Sequence, residues 1–593
     1  MSSTTSDSDL AADRSFTPTP TTNTTPDPDI ATPFPPAKTH SKTYGDEISP
    51  QPSNTPSITS LAGDDDTTTR KPLSTLLAFS ALTLSIFLVA LDTVLIPTAL
   101  PTIALSFHIP DSLFAWTGSA YLLANGASVP FWAKLSDVFG RKAIILIANT
   151  VFLAGSVVCA VSVNAGMLVA GRAVQGLGGG GVVVLVHVCV ADMFSMRDRS
   201  FYLGFVGAVW AVASALGPVL GGIFAQRLNW RWCFYINLPI VSFSTVLLYF
   251  TLNLHNPRMP LLAGLKSIDW LGTVTIITAT LLLLTGLQTG GQSYFTHPLV
   301  LSFIIIGSLL YLAFPWTQHL SDKQNRSPIM PLRIFRDVSN MSALGVCACD
   351  ALVFNSVAYF LPLYFQIVLF FQPSEAGLLM LAIAIPLALV SYVSGYIINY
   401  TGHYILVLRS GLAIMTLGVG LFISFTSTRD IGKLIAFLIV VGIGFGPNFS
   451  APLIALQTRI KEDDIAAGTS AFGFVRMVSG AIGVVVGQVV FQALMKPHVD
   501  QFIDSGIDGA LAHRLAGGNA ISEFRAVGGL NNEQRGVVKG GMTSALRWTW
   551  AVYTIVAALG LLVSFGIKRE GLSKEKPRSS VEEKRSSRIG DEA

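Results

Sequence analysis

Charge is scarce in this chain of 593 residues: only 12% are Asp, Glu, Lys or Arg, about half the share found in soluble domains. The deficit is concentrated in long stretches. No charged residue occurs from Ala143 to Gly171, from Phe201 to Gln226 or from Trp270 to Ser321. An uncharged apolar run of about 20 residues, rising about 1.5 Å per residue, crosses the ~30 Å hydrocarbon core as a helix. Backbone in lipid must satisfy its own hydrogen bonds, so helices are required. These runs are too many and too long for a soluble core.

Cysteine is also sparse. The five (Cys159, Cys189, Cys233, Cys347, Cys349) all fall inside apolar runs, with neither a disulfide framework nor zinc spacing. Cys347 and Cys349 diverge on a helix and read as small packing residues. The chain offers no metal cluster and no nucleophile–base spacing, so no metal, cofactor or enzymatic role is expected. GLGGGG, Gly176 to Gly181, lies within an apolar run, not between a strand and a helix with a following Lys-Ser/Thr. It is therefore no phosphate loop, and any work must draw on an ion gradient or the cargo's own gradient. The net charge of +4 is spread over loops and tails and does not suggest nucleic acid. Residues 1–72, rich in Ser, Thr, Pro and Asp, lack the apolar core of a signal peptide and read as a disordered cytosolic tail.

Fourteen spans are expected, at about 74–97, 112–132, 143–162, 164–190, 202–225, 232–253, 269–289, 297–316, 340–365, 375–398, 406–426, 434–455, 466–492 and 546–567. Lys and Arg in short loops mark the cytosolic side. Lys134, Arg141, Lys142, Arg197, Arg199, Lys323, Arg326, Arg333, Arg336, Arg459, Lys461, Lys568 and Arg569 share one face, against Arg227, Arg231, Arg429 and Lys433 on the other. Both ends are then cytosolic, and the polar insertion at 496–546 lies outside the cytosol. Glycine is plentiful, with 53 in the chain, and small residues let helices in lipid approach closely and slide.

KLSDVFGRK, Lys134 to Lys142, joins the second and third spans. Its cations hold the loop inside. Asp137 and Arg141 stand four apart, within reach on a helix, and Gly140 permits a tight turn. Such a latch could close one face and release on motion. The stretch resembles the loop signature of the major facilitator superfamily, with Leu135, Asp137, Gly140, Arg141 and Lys142 matching, Ala133 replacing a Gly and Val138 a basic residue. LDTVLIPTALP (Leu91–Pro101) is similar to the first-span signature of multidrug:proton antiporters, with Val94 and Pro97 in place of Thr and Asn. LVAGRAVQGLGGGG (from Leu168), ALGPVLGG (Ala215–Gly222) and WRWCFYINLP (Trp230–Pro239) resemble further signatures of the fourteen-span branch, and WTGSAYLLA (from Trp116) those of fungal toxin and multidrug efflux pumps.

The resemblance implies an all-α polytopic membrane protein of the major facilitator fold, with 14 transmembrane helices. Two six-helix halves, 73–254 and 339–567, would flank an inserted helix pair within 255–338, and 568–593 would be a cytosolic tail. Cargo would sit near the midplane between halves that rock. It also implies antiport for the motif holding Gly217, Pro218, Gly221 and Gly222, whose Pro would kink the helix while its Gly residues open a groove for a neighbour.

Charges inside spans are costly and usually face a polar cavity or a partner. Asp92 and Arg172 are such charges. Burial and a nearby cation act oppositely on a carboxylate's hold on a proton, so Asp92 is the candidate coupling residue and Arg172 its tuner. A structural ion pair is the competing reading. Gln175, one turn past Arg172, would line the same cavity as a candidate cargo contact. In the second half Asp350, Asn355 and Gln366 on the ninth span and Arg476 on the thirteenth are candidate cargo contacts, with a second proton site or a packing role as the competing readings of Asp350. His187 reads as a satisfied core residue, Glu375 as interfacial, and Asp192, Arg197 and Arg199 as cytosolic contacts.

The expected activity is proton-coupled export of amphipathic organic compounds (a toxin, drug or secondary metabolite) by a monomer in the plasma membrane. Its partners are the small-molecule substrate, protons and the lipid bilayer. A vacuolar basic amino acid carrier of the same fold, a siderophore carrier and a non-transporting membrane sensor are the alternatives.

Overall fold

The computed structural model describes residues 72–107, 111–254, 260–292, 297–324, 326–516 and 527–572. The two expected tails therefore lie, but for their innermost residues, outside the described residues.

Every regular element among the described residues is helical; the sole extended pairing is an isolated bridge between Ile268 and Ser327. The long helices are α1 (Leu73–Phe107), α2 (Asp111–Phe139), α3 (Arg141–Ala160), α4 (Ala165–Met193), α5 (Met196–Arg227), α6 (Asn237–Thr251), α7 (Trp270–Gln292), α8 (Pro298–Lys323), α9 (Val338–Leu363), α10 (Pro373–Thr401), α11 (Tyr404–Leu421), α12 (Ile431–Asn448), α13 (Ile465–Met495) and α14 (Asn532–Val563). Thirteen of the described helical spans are long and apolar enough to cross a membrane. The expected second span is α2, 29 residues long. It falls short in apolarity because Thr117, Ser119, Asn125 and Ser128 lie on it, all buried against neighbouring helices.

Polar residues mark the ends. The Asn164, Ser195, Asp337 and Asp430 side chains each accept a hydrogen bond from the first turn of α4, α5, α9 and α12, which satisfies an otherwise orphan donor. Glu375 forms a capping box with Gln372 at the start of α10. Gly140, at φ 92°, turns the chain between α2 and α3, a conformation other residues rarely adopt.

Three expected boundaries move. The sixth span is broken, with a single helical turn at Trp232–Tyr235 before α6. The twelfth breaks after Asn448 and resumes at Ala451–Gln457. The last begins at Asn532, well before the expected 546, because the end of the polar insertion continues the helix. The described part of that insertion folds: short helices at Val499–Asp504 and Gly509–Leu515 bury Val499, Phe502, Leu511 and Leu515 in the same core as Val538 and Met542 of α14.

α4 packs on α2 and α3, and α1 on α5 and α6; α9 packs on α13 and α14, and α12 on α10 and α11. Among the contacts that join these groups, α5 lies along α10, and α2 meets α13. α7 packs on α8 and reaches both α2 and α13. The glycine run of α4 serves close approach. A Cβ on Gly176 would collide with the Tyr121 carbonyl, and one on Gly178 with the backbone of Phe152.

Candidate functional site

Asp92 of α1 and Arg172 of α4 form an ion pair with both side chains essentially sealed, at 0% and 1% exposure. Arg172 Nη1 also donates to Gln175 Oε1 at 2.7 Å, and Gln175 Nε2 donates to Asp92 Oδ1 at 3.0 Å. Gln175 Nε2 reaches Ser156 Oγ of α3 at 2.9 Å, and Asn237 Nδ2 of α6 donates to Asp92 Oδ1 at 3.3 Å. Arg172 Nε donates to the Thr117 carbonyl of α2 at 3.3 Å, and its guanidinium lies 4.2 Å from the Tyr121 ring centre. Five helices thus contribute to one network, in which α4 and α6 reach the carboxylate of α1 directly. Buried charges persist only when paired and hydrogen-bonded in this way.

A second pair joins α9 and α13. Arg476 Nη2 lies 3.7 Å from Asp350 Oδ2, with Asp350 at 1% and Arg476 at 20% side-chain exposure. The Arg476 guanidinium stands 4.1 Å from the Phe449 ring centre, where the chain breaks after α12. Arg476, solitary in the sequence of its span, therefore has a carboxylate partner on another helix. His187 Nδ1 of α4 meets the Val183 carbonyl at 2.7 Å.

The loop face bearing Gly140 carries a third constellation. Arg141 donates to Asp137 Oδ1 at 2.5 Å, to Ser136 Oγ at 2.8 Å and, through Nε, to Asp192 Oδ2 at 2.9 Å. One guanidinium thereby ties α2 and α3 to α4. Arg199 is fully buried and donates to the Ala191 carbonyl at 2.6 Å and to Gln457 Oε1 at 3.0 Å. Arg197 donates to the carbonyls of Asn399 and Tyr400 at the end of α10, while Asn399 Nδ2 donates to Asp198 Oδ1 at 3.2 Å. Arg333 forks onto Asp464 at 2.5 and 2.7 Å. Arg459 donates to Asp337 Oδ2 at 2.8 Å and pairs with Glu570. The Arg459 hydrogen bond, helped by the Ser339 amide, holds the Asp337 carboxyl below its ordinary range.

The structure brings Asp92, Arg172 and Gln175 together, so Gln175 belongs to the ion pair and both ends of its amide are engaged there. Asp350 and Arg476 meet. Asn355 lies one turn further along α9, where a Cβ on Gly480 of α13 would strike its amide, and its Nδ2 bonds its own helix at Ala351 O. Gln366 sits in the π-turn that follows α9, on the order of 20 Å from Asp350 along the helix axis. It does not join that site. Gly217 presses α5 on α1, since a Cβ there would lie 2.9 Å from Val94 Cβ. Pro218, inside α5, faces Gly377 of α10, and Gly221 is buried. Gly222 has open space around it and no neighbour in the groove expected for it. Arg199, read from sequence as a cytosolic loop contact, lies inside the protein. Tyr121, Ser156, Asn237, Asn448 and Phe449 were not singled out from sequence.

The model of the Major Facilitator Superfamily matches residues 82–484. The chain belongs to the Major Facilitator Superfamily. It is 42% identical over 500 residues to the efflux pump dotC of Dothistroma septosporum, covering 84% of this chain and 85% of that one. To the MFS-type transporter ppz2 of Metarhizium majus it is 41% identical, with the same coverage. Among solved structures, the human organic anion transporter MFSD10 (TETRAN) shares the fold at TM-score 0.54 and 15% identity, over 84% of this chain and 100% of that one. The protein is thus a multi-pass membrane protein with the major facilitator fold, a family of small-molecule transporters.

Proposed function

We propose that this protein is a proton-coupled antiporter that exports amphipathic organic compounds by alternating access. The observation that carries the reading is the sealed Asp92–Arg172 pair, bridged by Gln175 and Asn237, in a chain related to a protein named as an efflux pump. A carboxylate whose charge is balanced by one guanidinium and two amide donors can take up a proton when the helices part, freeing Arg172 and Gln175 to re-pair. The Lys/Arg bias of the loops places both termini in the cytosol, and export across the plasma membrane is proposed from the relation to an efflux pump.

On this reading residues 73–254 and 339–567 are two six-helix halves, with α7 and α8 inserted at the α2/α13 seam. Asp137, Arg141, Asp192, Arg197, Arg199 and Gln457 then form the cytosolic gate, closed here by contacts that must break for cargo to enter. Gly217 and Pro218 shape the opposite end of α5. Pairing of Asp350 with Arg476 weighs against a carrier for basic amino acids, because the charge of each of these two acids is already balanced by an arginine.

The test is reconstitution into proteoliposomes with an imposed pH gradient and a panel of fluorescent amphipathic compounds that includes rhodamine 6G. Gradient-driven accumulation lost in Asp92→Asn supports the reading. Flux indifferent to the gradient rejects proton coupling, and absence of flux under every gradient favours the sensor.

A further inference from the structure

The two embedded Asp–Arg pairs differ in one respect. Around Asp92 both carboxylate oxygens and both ends of the Gln175 amide have partners. Around Asp350 they do not. Asp350 Oδ1, Arg476 Nη2 and Asn448 Oδ1 are all buried without a hydrogen-bond partner. The 3.7 Å separation of the pair exceeds that of a charge-assisted hydrogen bond. Asn448 Nδ2 stands within hydrogen-bonding reach of the Asp350 carboxylate but is shared with Gly444 O at 3.1 Å and Met415 Sδ at 3.6 Å. Buried polar groups are costly to leave unmade, and such groups in a folded protein call for an explanation.

Beside these atoms lies an aromatic wall. Phe354 of α9 meets Phe445 edge-on at 5.1 Å and Phe449 at 5.7 Å, and Phe449 carries the Arg476 guanidinium. Phe354, Phe449 and Arg476 are only half-buried, so the wall is partly accessible, whereas Asp350 Oδ1 and Arg476 Nη2 are sealed here and are reached only as the helices part.

We propose that Asp350, Arg476 and Phe449 form the cargo-recognition subsite, and that the cargo is a flat aromatic compound with a hydrogen-bond donor beside an acceptor, as in an ortho-dihydroxylated ring. This rests on the export reading above. The donor binds Asp350 Oδ1, the acceptor receives Arg476 Nη2, and the ring lies against Phe449 and Phe354. Because Arg476 already balances Asp350, a neutral cargo satisfies both groups without adding charge to a low-dielectric site. A site built to bond a hydroxyl rejects the analogue lacking it.

The experiment uses the purified full chain in nanodiscs without a gradient. Binding of 2,3-dihydroxynaphthalene, followed by its fluorescence, is compared with that of 2,3-dimethoxynaphthalene, which keeps the ring but donates nothing. At least tenfold tighter binding of the dihydroxy compound is expected, with Kd rising about tenfold in Asp350→Asn and in Arg476→Gln and about fivefold in Phe449→Leu. Equal affinity for the two naphthalenes, no binding of the dihydroxy compound, or unchanged Kd in both charge variants overturns the proposal. If the variants fail to fold, the wild-type comparison decides alone. Binding needs no proton, so this result separates from the flux test: binding without flux defeats the export reading, and flux untouched by Asp350→Asn defeats the subsite.

Discussion

Arg172 donates to both Asp92 and Gln175, and Gln175 donates back to Asp92, closing a ring of three side chains from two helices. The ring makes a structural role and a coupling role separable. Asp92→Asn leaves Arg172 charged and unbalanced in the core, which costs about 3–5 kcal/mol. Asp92→Asn with Arg172→Gln removes both charges and is expected to recover much of that stability, while gradient-driven flux stays lost. Thermal unfolding and flux on the three proteins check this. Recovery of flux along with stability would mark the pair as merely structural.

Arg199 crosses to Gln457 at full burial. Gln457→Leu keeps the volume but leaves Arg199 Nη1 without its acceptor, and an unmet buried donor costs about 1–3 kcal/mol. Lower thermal stability is expected, together with greater labelling of a cysteine placed at Thr469, which Gln457 also holds at 2.8 Å. Unchanged stability and labelling would remove this contact from the gate.

The Asp337–Arg459 bridge predicts a pH dependence with a definite sign. Arg459 and the Ser339 amide hold the Asp337 carboxyl below its ordinary range in the folded protein. Its stabilisation is therefore present above that ordinary range and is lost only as pH falls through the lowered folded value. The difference in melting temperature between wild type and Asp337→Asn should stay constant from pH 8 to about 5 and shrink towards pH 3. Shrinkage already between pH 7 and 5 contradicts the assignment.

Gly178 leaves no room for a methyl group between α3 and α4. Gly178→Ala should lower the melting temperature and the yield of folded protein, with the loss read by fluorescence size-exclusion. A neutral outcome would mean that these helices separate at little cost.

Much of the fold was legible because lipid demands long uncharged runs, and those runs are visible in sequence without any partner. Thirteen helices appear where such runs occur. α2 is recognisable by length but hides behind its buried hydroxyls and amide. The breaks at Ile236 and Phe449 were not anticipated, although Pro447 and Pro452 flank the second and remove backbone donors where the helix is interrupted. The Asp92–Arg172 pair could be anticipated, as two isolated charges in apolar runs must seek each other. Asn237, Ser156 and Asn448 could not, because which face of a helix meets which neighbour is a tertiary fact. Arg199 shows the same limit: a charge near a span end looks solvent-exposed until a partner 258 positions away receives it.

The most direct test of proton coupling is made in proteoliposomes containing pyranine, with whichever panel compound the wild-type protein moves. Wild type should acidify or alkalinise the lumen in step with cargo movement. Asp92→Asn should still exchange labelled for unlabelled cargo but move no protons and accumulate nothing against a gradient. Proton movement and accumulation that persist at wild-type level in Asp92→Asn would contradict the account.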